Sequence, residues 1–158
     1  MSNTTDLIHV VDRTALIENI LNQIIEAFCE PRKDRFMFFW NVILDTSIMP
    51  TGSKVKVASA IAQEMDTKIE QNALHTVMSL RNAFAHNQTD SHPVLVVGKT
   101  QEEDEMHFQF QILSNSGKLS HKRRKDALEE FNSAYTIAKA SLLALLEVIK
   151  SKRGASAA

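Results

Sequence analysis

His121–Lys150 reads HKRRKDALEEFNSAYTIAKASLLALLEVIK, and within it Leu128, Phe131, Tyr135, Ala138, Leu142, Leu145 and Ile149 step by three and four without a slip. Side chains at that spacing fall on one side of a helix with 3.6 residues per turn. The stretch therefore predicts one long amphipathic helix that needs other helices to cover its seam. Such a seam packs inside its own bundle more often than against a second chain. The tail Lys152–Ala158 is small and polar, and is expected to be disordered.

Upstream of this helix, Met106-His107-Phe108-Gln109-Phe110-Gln111-Ile112 alternates apolar and polar residues, and Pro93–Val97 forms a shorter apolar run. Period-two alternation marks a half-buried strand, so residues 93–113 predict a β-hairpin with one face on the helices. Its tip would be the solvated acidic stretch Gln101–Glu105, and Ser114–Gly117 would end it. Four helices should come first. One, from about Asp12 to Cys29, carries Leu16, Ile17, Ile20, Leu21, Ile24, Ile25 and Phe28, and Glu30-Pro31 interrupts it. The next, from about Asp34 to Thr46, holds Phe36, Phe38, Phe39, Trp40, Val42, Ile43 and Leu44; it is apolar on so many sides that it should lie deep. After Met49–Gly52, Ser53–Met65 reads as a short third helix. Thr67 with Glu70 has the capping-box form and should open a fourth that runs toward His86. The expected fold is mainly α: an up-and-down bundle of about five helices, with an inserted β-hairpin before the long C-terminal helix, in one domain over residues 1–151.

The 158 residues are 44% hydrophobic with only 4 Gly and 3 Pro, enough to build a core without disulfide or metal staples. A formal charge of -1 excludes a general nucleic-acid binder working by bulk attraction, so any RNA or DNA contact would have to be local. Cys29 is alone, which rules out a disulfide within the chain, and its apolar helical setting reads as a buried structural thiol. The first residues carry no basic-then-apolar export pattern and no apolar run approaches membrane-spanning length, so the chain is expected to be cytoplasmic with no membrane partner.

The fourth helix closes with Leu80-Arg81-Asn82-Ala83-Phe84-Ala85-His86-Asn87. A guanidinium offers a planar fork of donors that matches phosphate oxygens, an imidazole exchanges a proton near neutral pH, and a carboxamide beside them can hold a substrate or orient the ring. Arg and His near a helix C-terminus also suit the negative end of the helix dipole. Residues five apart point about 140° away from one another on a regular helix, so Arg81 and His86 share no face if the helix continues through both, whereas Asn82 and His86 do. Three solutions stay open. The helix ends near Ala85 and the turn re-aims His86; the two residues face different walls of one cleft; or two chains pair along this helix and bring both copies to a two-fold axis.

The one dense basic run is His121-Lys122-Arg123-Arg124-Lys125. Lys122, Arg123, Arg124 and Lys125 sit at a predicted helix start, where the dipole disfavours cations, and could track a nucleic-acid backbone; a solvated patch is the plainer reading. Trp40 with Phe36, Phe38 and Phe39 has the makings of a stacking platform, yet their crowding argues core. His75, His86, His92, His107 and His121 have no cysteine partners and no zinc spacing, so no metal site and no cofactor are expected.

The Arg81-Asn82-x-x-x-His86 segment, on the fourth helix of a bundle that closes with a long amphipathic helix, resembles the HEPN superfamily, whose hallmark is an Arg, a following polar residue and a His four to six positions after the Arg. More narrowly, Lys54–Ile61 followed by Leu80–His86 is similar in layout to the mannitol-operon-repressor-like branch. The resemblance implies a homodimer and a metal-independent endoribonuclease of the kind found in toxin–antitoxin and antiviral systems, with RNA as substrate and an antitoxin or regulatory protein as partner. Carried onto this chain, it implies that His86 is the general base or acid for attack of a ribose 2'-hydroxyl on the adjacent phosphodiester. Arg81 would stabilise the charge that develops on the phosphoryl oxygens, and Asn82 would position the ring or the substrate. The repressor-like branch implies the alternative of a non-catalytic transcriptional regulator or adaptor, in which the same residues cap the helix and tie a dimer together.

Overall fold

The structure, a computed structural model, describes residues 3–86, 93–96, 105–113 and 117–156. The loop expected after His86, the acidic tip Gln101–Asp104 and the turn at Ser114–Ser116 lie outside them. Among the described residues are five α-helices: α1 (Asn3–Cys29), the short α2 (Phe36–Phe38), α3 (Thr51–Glu64), α4 (Gln71–His86) and α5 (Arg124–Ser156). Between α4 and α5 come β1 (Pro93–Val96), β2 (Glu105–Leu113) and β3 (Leu119–Arg123). The class is the expected one, mainly α with a small antiparallel β element before the long C-terminal helix.

β1 pairs with the first part of β2, Pro93 opposite Phe108 and Val96 opposite Glu105. β3 pairs with its second part, Gln109 opposite Arg123 and Leu113 opposite Leu119. The third strand corrects the sequence reading, which started the last helix near His121. Leu119–Arg123 is extended because the ladder with β2 supplies its backbone partners, and α5 begins only at Arg124. At its other end α5 runs to Ser156, so Lys152–Ser156 is helical where a disordered tail was expected.

Two more boundaries move for local reasons. Thr67 does not cap α4, because its backbone N–H closes α3: Asp66 adopts φ +53°, Thr67 N–H bonds Ala62 C=O at 2.8 Å and Asp66 N–H bonds Gln63 C=O at 3.1 Å. That is the Schellman arrangement, with an aspartate in the left-handed position that glycine usually takes. The expected second helix is a winding stretch, 3-10 over Lys33–Arg35, α over Phe36–Phe38 and π over Phe39–Ile43, and of the apolar residues assigned to it only Leu44, just past the π turn, is buried. It was expected to lie deep and does not.

The chain forms two compact units. The first combines Met1–Thr14 with His75–Tyr135; there Val10, Val77, Leu80, Phe84, Ala127 and Phe131 are sealed from solvent. The second combines Ala15–Leu74 with Thr136–Ala158, and in it Ile17, Leu21, Ile24, Leu44, Leu74, Ala138 and Leu142 are equally buried. Each large side chain of this kind contributes about 2 kcal/mol by leaving water. Six of the seven seam positions of α5, Phe131, Tyr135, Ala138, Leu142, Leu145 and Ile149, are buried; Leu128 is half-buried, and Ala127, Ala134 and Leu146 widen the stripe.

Candidate functional site

α4 holds its place in the first unit through Val77, Leu80, Ala83 and Phe84, all buried, and this fixes where the polar residues between them point. The helix includes His86 as its last residue, so no turn re-aims the ring, and Arg81 and His86 leave the axis about 140° apart. Asn82 and His86, four apart, project on the side away from the buried stripe. Arg81, Asn82 and His86 are all exposed. The Arg81 guanidinium does not stay on its own side: Nη1 donates to Asn82 Oδ1 at 3.2 Å. The bond sets the charge beside the Asn82 carboxamide, and Arg81, Asn82 and His86 stand as an exposed polar strip within the last six residues of α4.

The basic run lies in the same unit but is not the row of four cations that the sequence displays. Strand alternation turns Lys122 inward to pair with Glu130, while His121 and Arg123 face solvent. Arg124 is largely buried, its Nε 3.0 Å from Asp6 Oδ2 and its guanidinium 5.1 Å from the centre of the Phe84 ring. It ties the start of α5 to α1 and to the motif helix, two residues before His86, and is not presented to a polyanion. Lys125 is exposed and 3.9 Å from Glu129, so of the predicted four Arg123 and Lys125 stand in solvent, Lys122 is half-exposed and paired, and Arg124 is largely buried.

Sequence reasoning missed two polar clusters, each assembled from distant segments. In the first unit, Asn132 Oδ1 accepts from His9 Nε2 and from Arg13 Nη1, both at 2.9 Å, and the Arg13 guanidinium lies 4.8 Å from the Tyr135 ring centre. A carbonyl oxygen only accepts, so the His9 ring carries its proton on Nε2. In the second unit, Lys54 is completely buried, with Nζ 2.6 Å from Glu18 Oε1, and Thr46 and Thr51 also donate to that carboxylate. Partial burial pushes the Glu18 carboxyl up, but the bonds from Lys54, Thr46 and Thr51 and the Lys54 charge outweigh it, and its pKa falls below the ordinary carboxyl value. No local spacing announces either cluster; the only signal was a lysine at an apolar position of α3.

Cys29 is exposed at the end of α1, not buried as expected, and partial desolvation raises its thiol pKa. A thiol so shifted holds little thiolate at neutral pH and is a poor nucleophile. Comparison with family models, with curated proteins and with solved structures finds no significant match.

Proposed function

We propose that this chain is a HEPN-like protein that works as a dimer on RNA, a metal-independent endoribonuclease in which Arg81, Asn82 and His86 form the reacting surface. The observation that supports the reading is the Arg81–Asn82 hydrogen bond, which sets a guanidinium beside the carboxamide that lies four residues before His86 on the same helix. In this mechanism His86 takes the proton of a ribose 2'-hydroxyl, and the oxygen attacks the adjacent phosphorus while Arg81 compensates the charge growing on the phosphoryl oxygens. The bond to the 5'-oxygen breaks, that oxygen takes up a proton, and a 2',3'-cyclic phosphate remains. A strip on a convex helix surface is shallow, and a second copy of α4 across a two-fold axis would turn it into a cleft.

The test uses purified protein and single-stranded RNA in EDTA. The account predicts cleavage, and a loss of at least about a hundredfold in His86→Ala with the helical circular dichroism unchanged, since an exposed ring contributes little to folding. Full cleavage by that variant would reject the assignment.

One observation favours the second reading, a non-catalytic regulator or adaptor of the mannitol-operon-repressor-like kind. Lys122 and Arg124 spend their charge on Glu130 and Asp6, which leaves a thin basic surface for a polyanion. On that reading no cleavage appears in any buffer, and Arg81→Ala weakens dimerisation.

A further inference from the structure

Residues 36–43, FMFFWNVI, are apolar apart from Asn41, and not one of them is buried. Met37, Phe38 and Ile48 are 66%, 59% and 62% exposed, and Phe36 and Val42 also meet solvent. With roughly 200 Å² for a large apolar side chain, these five expose on the order of 500 Å² of apolar surface within residues 36–48, as much as the largest patch of many soluble monomers. Arg32, Lys33 and Arg35 precede the run, all exposed, and Asp34 pairs with Arg32 at 3.2 Å and with Arg35 at 3.6 Å. Within residues 32–48 three cations thus meet two anions, and because Asp45, its pKa lowered by the bonds from Ser47, stands at the far end, the positive excess sits at the N-terminal end beside Phe36–Phe38.

We propose that residues 32–48 dock on an anionic lipid surface, with the aromatic and aliphatic side chains entering the headgroup boundary and Arg32, Lys33 and Arg35 meeting the phosphates. No described helix is long and apolar enough to cross a membrane, so the contact is peripheral. Charge complementarity selects this occupant. A second copy seated on the same face would set a positive rim against a positive rim. A single-stranded nucleic acid would suit the cations but little of the apolar surface: the Phe36 and Trp40 rings already stack on each other, 6.1 Å apart at 15°, Met37, Val42 and Ile48 offer no ring, and Phe38 alone presents a well-exposed one to a base. A lipid boundary accepts aliphatic and aromatic side chains alike.

Trp40 is the sole tryptophan, so its emission reports on this surface alone. The full chain is titrated with vesicles of phosphatidylglycerol or of phosphatidylcholine, reading Trp40 emission and co-flotation. The proposal predicts a blue shift and flotation with phosphatidylglycerol, with binding at least about tenfold weaker to phosphatidylcholine and a comparable loss in an Arg32→Ser, Lys33→Ser, Arg35→Ser variant. A Met37→Ser, Phe38→Ser variant, folded by circular dichroism, should lose binding to the same degree. Absence of flotation, equal affinity for both lipids, or a Trp40 shift driven by protein concentration or by polyuridylate in place of vesicles would each overturn it.

Discussion

The second unit hides a lysine and shows a phenylalanine. Lys54 has no accessible side-chain surface, while Phe38, in the same unit, is more than half exposed. Residue type alone would order them the other way. Lys54 lies on α3 between Thr51 and Val55, on a stripe whose other members, Val55, Ala58, Ile61 and Ala62, are buried, so the helix period carries it inward and Glu18 meets its charge there. The run around Phe38 has no such period. Seven apolar residues in eight, wound through α and π turns, cannot all face one side, and the segment ends with Phe39, Trp40 and Ile43 half-buried and none of the seven fully covered. Periodicity decides burial more strongly than composition does.

The largest effect that would break this contrast comes from removing the carboxylate. Glu18→Ala should lower unfolding stability by about 3 kcal/mol in denaturant titration, because it strands a buried ammonium, whereas Lys54→Met, which leaves Glu18 partly in water, should cost much less. Equal losses would mean that the pair acts as packing and not as charge.

A smaller effect should appear with acid. The folded-state pKa of Glu18 lies below the ordinary value of 4.5, so its contribution is full above that value and is lost as pH falls through the lower folded value. Wild-type stability should therefore drop on acidification below about pH 4.5 more steeply than that of Glu18→Gln. Parallel acid limbs would remove Glu18 from the account. The smallest effect belongs to the exposed run: Phe38→Ser should change unfolding stability by no more than about 0.5 kcal/mol, and a loss of several times that would show that the side chain is covered after all.

The sequence made legible whatever depended on local period. The α5 seam from Phe131 to Ile149, the strand β2 and the stripe of α4 are where the spacing of Leu128–Ile149, Met106–Ile112 and Val77–Phe84 placed them. It concealed what depended on partners distant in the chain. Leu119–Arg123 became a strand only because β2 lies beside it, and Thr67 looked like a helix start until its backbone was needed to finish α3. The convergence of His9, Arg13 and Asn132 joins α1 to α5 and leaves no mark in the spacing of either. Within the candidate site the 140° splay of Arg81 and His86 was readable, but the bond that swings the guanidinium toward Asn82 was not, since it depends on a side-chain rotamer and not on the helix period.

The claim that Arg81 and His86 act together on one phosphodiester is tested most directly by single-turnover RNA cleavage in EDTA with wild type, Arg81→Ala, His86→Ala and the double variant. Groups that serve one transition state are strongly non-additive, so the double variant should be about as slow as the slower single one. Losses that multiply, or cleavage indifferent to both substitutions, would contradict it.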